Sequence, residues 1–600
     1  MNSGTVQHSQ QGPPSPVVST TSTVIDESTA LLNCSSVNIL DADEMLLANM
    51  GYKQDLYRGF DAFMSFSFCF TTVGVISGLS GLFVYGMKTG GPSVLIWSWI
   101  IGGILNIIVA LNLAEICSTY PSAGSVYHWA GCLSSEKNAP LYSYVTGWFN
   151  FLGNAAGDAF FAQSFSTMVN ALYQLIYPEN EPLSMEFQVF VAICSCCFCA
   201  LQNITRIDRI GWLNNFATFW QVGTTGIIVA TLFGTCSASG TTLSSPKEIF
   251  FTFYNGTGFD SKFYVAMIGM LTTLYSFTGY EAAGHMSEET KNTQTASPLA
   301  IAYTALAAMV VGLLYLIGLL SATASNVENF VLNQWEVTNI FGQCAGYTTG
   351  ILLAILLTVN MYFSGMSSFT VSTRIAYSMA RDGAFPLSKK IAYVSPTNQS
   401  PVGSVILVLS IDIILLLLNL VNETTFTAVT SIATIGYQIS YAIPILLRVT
   451  TSKNVFELGK FNLGTLGIPM GWLSFIWLFC TSVLFLLPTQ SPVTLSNMNY
   501  TGLILLLTFL IGGVAMSIFT AEIYEADLIA LVLFTFAELE FFSDELSFVL
   551  LNVAQYCWTS FKLLYLLAKK EKTAKKKSSK LHSPVTQLST VRLSTQNSFD

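Results

Sequence analysis

The chain has 600 residues, of which 52% are hydrophobic and 10% are charged, and its mean hydropathy is +0.55. Because a soluble domain averages about 25% charged residues, this composition excludes a soluble globular protein and predicts an all-α polytopic membrane protein. The net charge of −9 lies mostly in tails and loops, and no basic patch interleaved with aromatic residues indicates a nucleic-acid partner.

The N-terminal residues 1–55 are polar and rich in serine and threonine, which predicts a disordered tail without a cleavable signal peptide. The pattern ESTALL at 27–32 fits an acidic dileucine sorting signal, and a chance match is its alternative. A working signal would favour an endosomal or vacuolar membrane, and the plasma membrane is the other expectation.

Twelve apolar segments follow the tail, each about as long as one membrane crossing needs, roughly 17–25 residues. We expect them to be helices because backbone groups cannot stay unpaired in hydrocarbon. The predicted spans are 61–86, 92–117, 141–166, 187–207, 212–236, 263–286, 298–322, 348–373, 402–421, 426–447, 470–488 and 501–519. Together they make residues 56–522 one membrane domain.

Basic residues are distributed unevenly between the loops on the two sides of the membrane. With the N-terminus inside, 13 lysines and arginines fall in inner loops, and only Lys88, Lys247 and Lys262 fall outside. Cytoplasmic loops carry the excess of such residues, so both termini are predicted to be cytoplasmic. Residues 523–568 are apolar but carry acidic residues, which predicts interfacial helices or an extra hairpin. Residues 569–600 are predicted to be a basic, disordered cytoplasmic tail.

Glycines interrupt two of the twelve segments. The first segment contains Gly74, Gly78 and Gly81, and the sixth contains Gly279 and Gly284. In either segment alone, tight helix packing explains the glycines equally well. Interruptions in the first members of two five-helix sets, however, are typical of a secondary transporter with inverted repeats.

Broken helices expose groups that suit a zwitterionic ligand. A half-helix N-terminus presents unpaired N–H groups and a positive dipole end to a carboxylate, and a half-helix C-terminus presents carbonyls to an amine. No lysine or arginine lies deep in the twelve segments, so a bound carboxylate must rely on such backbone groups. A net-negative substrate is therefore disfavoured.

Five motifs resemble one transporter family. They are GLSGLFVYGMKTGGP (78–92), LAEICSTYPSAGSVYHWA (113–130), TGYEAAGHMSEETKN (278–292), STRIAYSMARDGAFP (372–386) and LPTQSPVTLSNMNY (487–500). In order, over roughly 55–520, they resemble the amino acid–polyamine–organocation superfamily and its amino acid/choline transporters, which include γ-aminobutyrate permeases. The resemblance implies twelve transmembrane helices in an inverted five-helix repeat, with helices 1 and 6 broken. The chain after residue 520 departs from the family pattern.

The resemblance also implies a substrate site at the two breaks. The substrate carboxylate would meet backbone N–H groups near Ser80 and Gly81, and its amine would meet carbonyls near Ile76, Phe277 and Thr278. Glu281 stands where the family often has an acidic residue. The implied substrate-binding residues of the two breaks are Ile76, Ser77, Gly78, Ser80, Gly81, Phe277, Thr278, Gly279 and Glu281.

Further polar residues lie inside apolar segments. Asn150, Asn154 and Asp158 are spaced by four in the third segment, so they share a helical face that lines the substrate path or forms an interhelical seam. Ser367 and Ser368 are candidate sodium ligands against carbonyls of the first segment. Asp412 is expected to be structural or a dimer contact.

The leading hypothesis is a secondary active transporter of amino acids or related amines such as γ-aminobutyrate, working by alternating access with H+ or Na+ as coupling ion. A choline, polyamine or cationic amino acid transporter is the alternative, and a non-transporting nutrient receptor is the alternative class. A channel is disfavoured because no pore-lining motif is visible. An enzyme is disfavoured too, because no nucleophile elbow, phosphate loop or histidine-rich cluster occurs. No cofactor or structural metal is predicted, although CSCCFC at 194–199 superficially resembles a metal site.

Overall fold

The computed structural model describes residues 43–238, 243–332, 337–385, 387–420, 425–494, 499 and 501–502. These residues are almost entirely helical. The helices are α1 (43–49), α2 (Ala62–Val73), α3 (Val75–Lys88), α4 (Gly91–Thr119), α5 (Ser125–Leu133), α6 (Ala139–Ile176), α7 (Met185–Asn203), α8 (Ile207–Ala238), α9 (Pro246–Phe251), α10 (Lys262–Gly269), α11 (Leu271–Ser276), α12 (Ala282–His285), α13 (Thr293–Thr323), α14 (Val327–Leu332), α15 (Val337–Ala345), α16 (Tyr347–Arg381), α17 (Ser388–Ile391), α18 (Val402–Leu417), α19 (Thr425–Val449) and α20 (Gly467–Leu484). Two short strands, β1 (Thr89–Gly90) and β2 (Tyr254–Asn255), pair antiparallel.

The first eleven predicted membrane segments all coincide with helices. The twelfth, 501–519, lies outside the described residues except for 501–502, as do 523–568 and 569–600. Within the described ranges, nine helices are long and apolar enough to cross a membrane. The third and sixth segments are not among the nine, because α6 carries many polar residues and the sixth is divided into α10, α11 and α12.

The first segment is broken at Gly74. This glycine ends α2 and precedes α3 with φ 52° and ψ 46°, a left-handed conformation that interrupts the helix. The sixth segment is broken between Ser276, where α11 ends, and Ala282, where α12 begins, with Gly279 at φ +90°. Both predicted interruptions are therefore present as backbone breaks.

Corresponding helices of the two five-helix sets pack against each other. The second member of the first set, α4, contacts α13, the second member of the other set. The third members, α6 and α16, also pack together, and the two broken members meet through α3 and α11. This pairing brings both breaks to the centre of the bundle.

Residues 43–60, named here the N-terminal strap, correct the prediction of a disordered tail as far as 43–55 are concerned. Asp43 Oδ2 accepts the Asn292 N–H at 2.9 Å, and Phe60 exchanges two backbone hydrogen bonds with the chain at 289–291. Leu47 and Leu56 are buried. Remote tertiary contacts thus order a polar segment whose own composition predicts disorder.

The opposite end of the bundle is closed by different elements. There β1 follows α3 and pairs with β2, and Ser491 N–H donates to the Thr257 carbonyl at 2.8 Å. The strap and the β1–β2 pair therefore mark the two ends of the bundle.

Candidate functional site

The break at Gly74 leaves backbone donors unpaired. Val75, Ile76 and Ser77 form the first turn of α3, where N–H groups have no partner within the helix. Among the described residues, no other hydrogen bond is recorded to these three N–H groups, although all three residues are fully buried. A helix N-terminus of this kind attracts an anion such as a carboxylate.

The break in the sixth segment leaves backbone acceptors unpaired. In the described part of the chain, no hydrogen bond is recorded to the carbonyls of Phe277 and Thr278, which follow the end of α11. The Gly279 N–H donates to the Tyr441 hydroxyl at 3.1 Å, which holds the break against α19. Unpaired carbonyls at a helix C-terminus attract an amine or a cation.

Glu281 lies at the end of this break and is fully buried. Its Oε2 accepts a hydrogen bond from the Tyr441 hydroxyl, and its Oε1 accepts one from Asn150 Nδ2 at 3.3 Å. Both partners are neutral. A carboxylate in this position stays without a compensating positive side chain, and a charged amine would supply the compensation.

The polar face of α6 divides between two surroundings. Asn150 reaches Glu281 and the Ser440 hydroxyl, and Asn154 Oδ1 accepts the Tyr437 hydroxyl at 2.9 Å. Asp158, the third member, instead accepts a hydrogen bond from Ser368 on α16. The face therefore borders the break at its first two positions and a different helix contact at the third.

All five of the predicted first-segment residues lie inside α3. Gly78 packs against Ser276, and a Cβ at Gly81 would come within 2.9 Å of Phe160 and 3.0 Å of Ser164. The Ser80 hydroxyl contacts Tyr315 at 2.6 Å. The expectation that N–H groups near Ser80 and Gly81 receive the carboxylate is thus corrected, because the free donors are those of Val75, Ile76 and Ser77 in the first turn of α3.

The two sodium candidates donate hydrogen bonds to side chains of other helices. Ser367 Oγ donates to Asn214 on α8 at 2.5 Å, and Ser368 Oγ donates to Asp158. The hydroxyl that approaches the break belongs to Ser364, which lies 3.3 Å from Ser77 Oγ. Both candidate hydroxyls are thus engaged with other side chains, and their assignment as sodium ligands stays a prediction.

Sequence reasoning missed Tyr437, Tyr441 and Asn360 as site residues. Asn360 Nδ2 donates to Ser77 Oγ at 2.8 Å, beside the first break. The two tyrosines lie four residues apart on α19, so their hydroxyls share a helical face. That spacing was the available signal, although tyrosine inside a membrane segment is by itself unremarkable.

Ion pairs close the strap end of the site. Arg381 binds the buried Glu288 through two hydrogen bonds of 2.9 and 3.0 Å, and Arg374 lies 2.9 Å from Glu289. Asp382 accepts hydrogen bonds from Tyr127 at 2.9 Å and from Tyr52 of the strap at 3.1 Å. Burial raises the pKa of the Asp382 carboxyl, although the neighbouring Arg381 charge acts in the opposite direction.

Metal-ligating side chains do not cluster in the described ranges, where no three of His, Cys, Asp or Glu come together. In the CSCCFC segment, Cys194 and Cys197 are exposed whereas Cys196 and Cys199 are buried, so the four thiols do not face one point. His285 is also fully buried, and its Nδ1 lies 3.0 Å from the Ala123 carbonyl oxygen. What remains at the centre is a set of free backbone donors, free backbone acceptors and one buried carboxyl group.

Comparison with known proteins agrees with this architecture. The family model described as amino acid permease matches residues 63–511. The chain is 33% identical to the amino-acid permease BAT1 homolog of Oryza sativa subsp. japonica, over 77% of this chain and 91% of the relative. It is 32% identical to amino-acid permease BAT1 of Arabidopsis thaliana, over 78% and 92%. A putative amino acid/polyamine transporter of Macrophomina phaseolina (strain MS6) is 31% identical over 72% and 96%.

The family-model match covers both backbone breaks and all the elements that position Glu281. With nine helices in the described ranges that are long and apolar enough to cross a membrane, and with two broken segments at the centre, the chain belongs to the amino acid permease family of multi-pass membrane proteins.

Proposed function

We propose that this chain is a secondary active transporter that moves amino acids or related amines, such as γ-aminobutyrate, across a membrane by alternating access. The observation that carries the proposal is the pairing of opposite backbone ends around one buried carboxyl group. Free N–H groups at 75–77 face a ligand carboxylate, and the carbonyls of Phe277 and Thr278, with Glu281, face its amine.

Substrate class follows from the charges in this site. A neutral amino acid or γ-aminobutyrate offers one carboxylate and one ammonium group, which match the two kinds of backbone end. A cationic amino acid, a polyamine or choline is the second candidate, because Glu281 and Asp158 are acidic and one relative is named an amino acid/polyamine transporter. The recorded hydrogen-bond partners of Glu281 include no basic side chain, so they offer no positive charge to a net-negative substrate.

The closed strap end gives the proposed cycle a defined starting state. The Arg381–Glu288 and Arg374–Glu289 pairs join the end of α16 to the segment after α12, and Tyr52 adds the strap to this contact. Opening this end requires these contacts to separate, which exposes the break to the cytoplasm. In this proposal both termini are cytoplasmic, and the membrane is the plasma membrane or an endosomal or vacuolar membrane.

The proposal is tested with purified protein in liposomes and a labelled panel of γ-aminobutyrate, neutral and basic amino acids, a polyamine and choline. Saturable uptake of γ-aminobutyrate or a neutral amino acid is expected, and saturable uptake of only cationic members would select the second class. Binding without uptake would indicate a receptor. Non-saturating flux of several members would indicate a channel. Protein-free liposomes and liposomes with the Glu281→Gln variant serve as controls.

A further inference from the structure

Another buried carboxyl group, that of Asp412, lies on α18, outside the two breaks. Asp412 shares a helical face with Val405, Val408 and Leu416, and all four side chains are buried. Neither carboxyl oxygen of Asp412 has a hydrogen-bond partner among the described residues. An uncompensated charge in such a place is costly, so this carboxyl group must be neutral or bound to a cation.

The nearest recorded acidic neighbour of Asp412 is Asp158, which lies on α6, a helix that packs against α18. Asn419 Nδ2, seven residues after Asp412, donates to Gln163 Oε1, five residues after Asp158, at 3.4 Å, so the two carboxyl groups lie near each other along the packed helices α18 and α6. The negative charge of Asp158 therefore acts on Asp412. Asp158 Oδ1 accepts the Ser368 hydroxyl, and the hydroxyl of Ser372, one turn further along α16, also interacts with the Asp158 carboxyl group. Asp158 is 2% exposed and Asp412 is 0% exposed. Both carboxyl oxygens of Asp412 are thus buried and unpaired among the described residues, and the partners of Asp158 are neutral hydroxyls.

The surroundings of the pair contain no basic group. A cavity with room for about one water-sized ligand borders Asp158. Its lining includes Phe161, Cys196, Cys199, Tyr362 and Phe369. The titratable groups that face the two carboxyls from α6, α7, α11, α16 and α19 are Asp158, Cys196, Cys199, Tyr275, Tyr362 and Tyr437. All of them are neutral or negative, so none offsets a negative carboxylate.

Two carboxylates at close range in a low dielectric do not both carry a charge unless a cation lies between them. A sodium ion requires about five or six oxygen ligands, and in broken-helix transporters many of these are freed backbone carbonyls. Here α6 and α16 run unbroken past the pair, so their carbonyls are used within the helices. We propose that Asp158 and Asp412 form a proton site that carries the coupling ion of transport.

Contacts of α6 connect this site to the substrate site. Asn154, one turn before Asp158, accepts the Tyr437 hydroxyl, and Asn150, one turn earlier, donates to Glu281. The Asp158–Ser368 bond joins α6 to α16, whose end carries the closing Arg381. Gain or loss of the proton changes the charge at this helix contact. A change of charge here therefore affects the contacts of α6 with the sixth-segment break and with α16, whose end forms the closed end. This inference rests on the proposed function.

The test compares exchange with accumulation in proteoliposomes. Exchange of labelled γ-aminobutyrate or leucine against the same unlabelled compound needs no net proton movement, whereas accumulation does. One coupled proton and an inward gradient of about one pH unit support at most about tenfold accumulation. Asp412→Asn resembles a permanently protonated carboxyl group. We expect it to keep exchange, to lose accumulation, and to abolish the substrate-induced acidification that an entrapped pH dye reports.

A matched control separates this site from a general loss of acidic charge. Asp260→Asn changes an exposed aspartate beyond β2 and is expected to behave as the wild type. Asp158→Asn should show the same loss of accumulation as Asp412→Asn. Asp412→Glu should keep proton-driven accumulation, because it retains a titratable group on the same face.

The possible results distinguish a proton site from a sodium site, from a packing role and from failure of the proposed function. Full accumulation and acidification in Asp412→Asn would overturn the proton site. Wild-type exchange without any response to a pH gradient would overturn it too, while leaving the proposed transport function intact. If a sodium gradient drives accumulation and Asp412→Asn abolishes it, the proposed proton site is wrong and the coupling ion is sodium. Monodisperse Asn variants that lose exchange and binding would assign both aspartates to packing. Absence of wild-type exchange would refute the proposed function itself.

Discussion

The substitution Glu281→Gln tests whether the buried carboxyl group at the sixth break recognises a substrate amine. Glutamine keeps the shape of the side chain and an oxygen that can accept from Tyr441 or Asn150. It removes the negative charge that no basic partner offsets in the described surroundings. The substitution is therefore expected to weaken mainly the interaction of this side chain with a positively charged ligand.

Its magnitude follows from the contact that is lost. A hydrogen bond to a charged group contributes about 1.5–3 kcal/mol, and about 1.4 kcal/mol corresponds to a tenfold change in affinity. Glu281→Gln is therefore expected to weaken substrate binding by about 10- to 150-fold. Equilibrium binding of the best panel member to purified protein measures this change without involving the later steps of transport.

A matched variant and a matched ligand complete the assay. Glu457→Gln alters an exposed glutamate in the loop before α20 and should leave affinity unchanged. A ligand analogue without the amine should bind the wild type weakly and lose little further affinity in Glu281→Gln. Unchanged affinity for the amine-bearing substrate would refute the assignment of Glu281 to the amine. Equal losses for both ligands would show that Glu281 acts by holding the break.

Three further predictions concern the break and the closed end. Gly279→Ala has room for its methyl group but forces φ +90° on an L-residue, which costs about 1–2 kcal/mol and should lower transport. Gly346→Ala, a control with positive φ outside the break, should leave transport unchanged. Arg381→Gln leaves Glu288 buried without its partner and should weaken closure by about 3–5 kcal/mol, measured as faster hydrogen exchange over 282–290. Unchanged exchange would contradict this closure. Burial lowers the pKa of His128 to about 4, so the stability that this neutral histidine contributes is present above pH 6.5 and is lost as pH falls through about 4. The His128 ring packs against Tyr52 of the strap, with ring centroids 5.6 Å apart. Release of the strap, measured by limited proteolysis at acid pH, should therefore be greatest below this pH and smaller in His128→Gln.

The membrane segments could be predicted because length and hydrophobicity alone fix them. Helices lie at eleven of the twelve expected positions, although α6 continues ten residues and α16 eight residues beyond the predicted ends of their spans. The breaks in the first and sixth segments could also be predicted, since glycines in matching positions mark them. The sequence did not tell which glycine adopts a positive φ: Gly74 does, whereas Gly78 and Gly81 serve close packing against α11 and α6. Both uses require the missing side chain, so composition alone does not separate them.

The polar face of α6 shows how far periodicity reaches. A step of four residues turns an α-helix by about 40° beyond a full turn, because each residue contributes about 100°. Two such steps carry Asp158 about 80° around the helix from Asn150. Asn150 accordingly meets the break, whereas Asp158 meets α16. The shared face was predicted, and its division between two surroundings required the packing of neighbouring helices.

The strap required information that local sequence does not contain. Residues 43–55 have no apolar periodicity that would predict order, and their positions depend on contacts more than 200 residues away, such as Gln54 Nε2 to the Glu288 carbonyl at 2.9 Å. The same holds for Tyr441, whose role depends on Glu281 and Gly279 in another segment. Such tertiary contacts become visible only when the helices are assembled.

Counterflow most directly tests the central claim that one central site is exposed to each side in turn. Liposomes with purified protein are loaded with unlabelled substrate, and entry of the labelled compound is followed without any ion gradient. The account predicts that internal substrate accelerates labelled entry, and that Glu281→Gln removes the acceleration at concentrations that saturate the wild type. Labelled entry that is indifferent to internal substrate would contradict alternating access at these breaks.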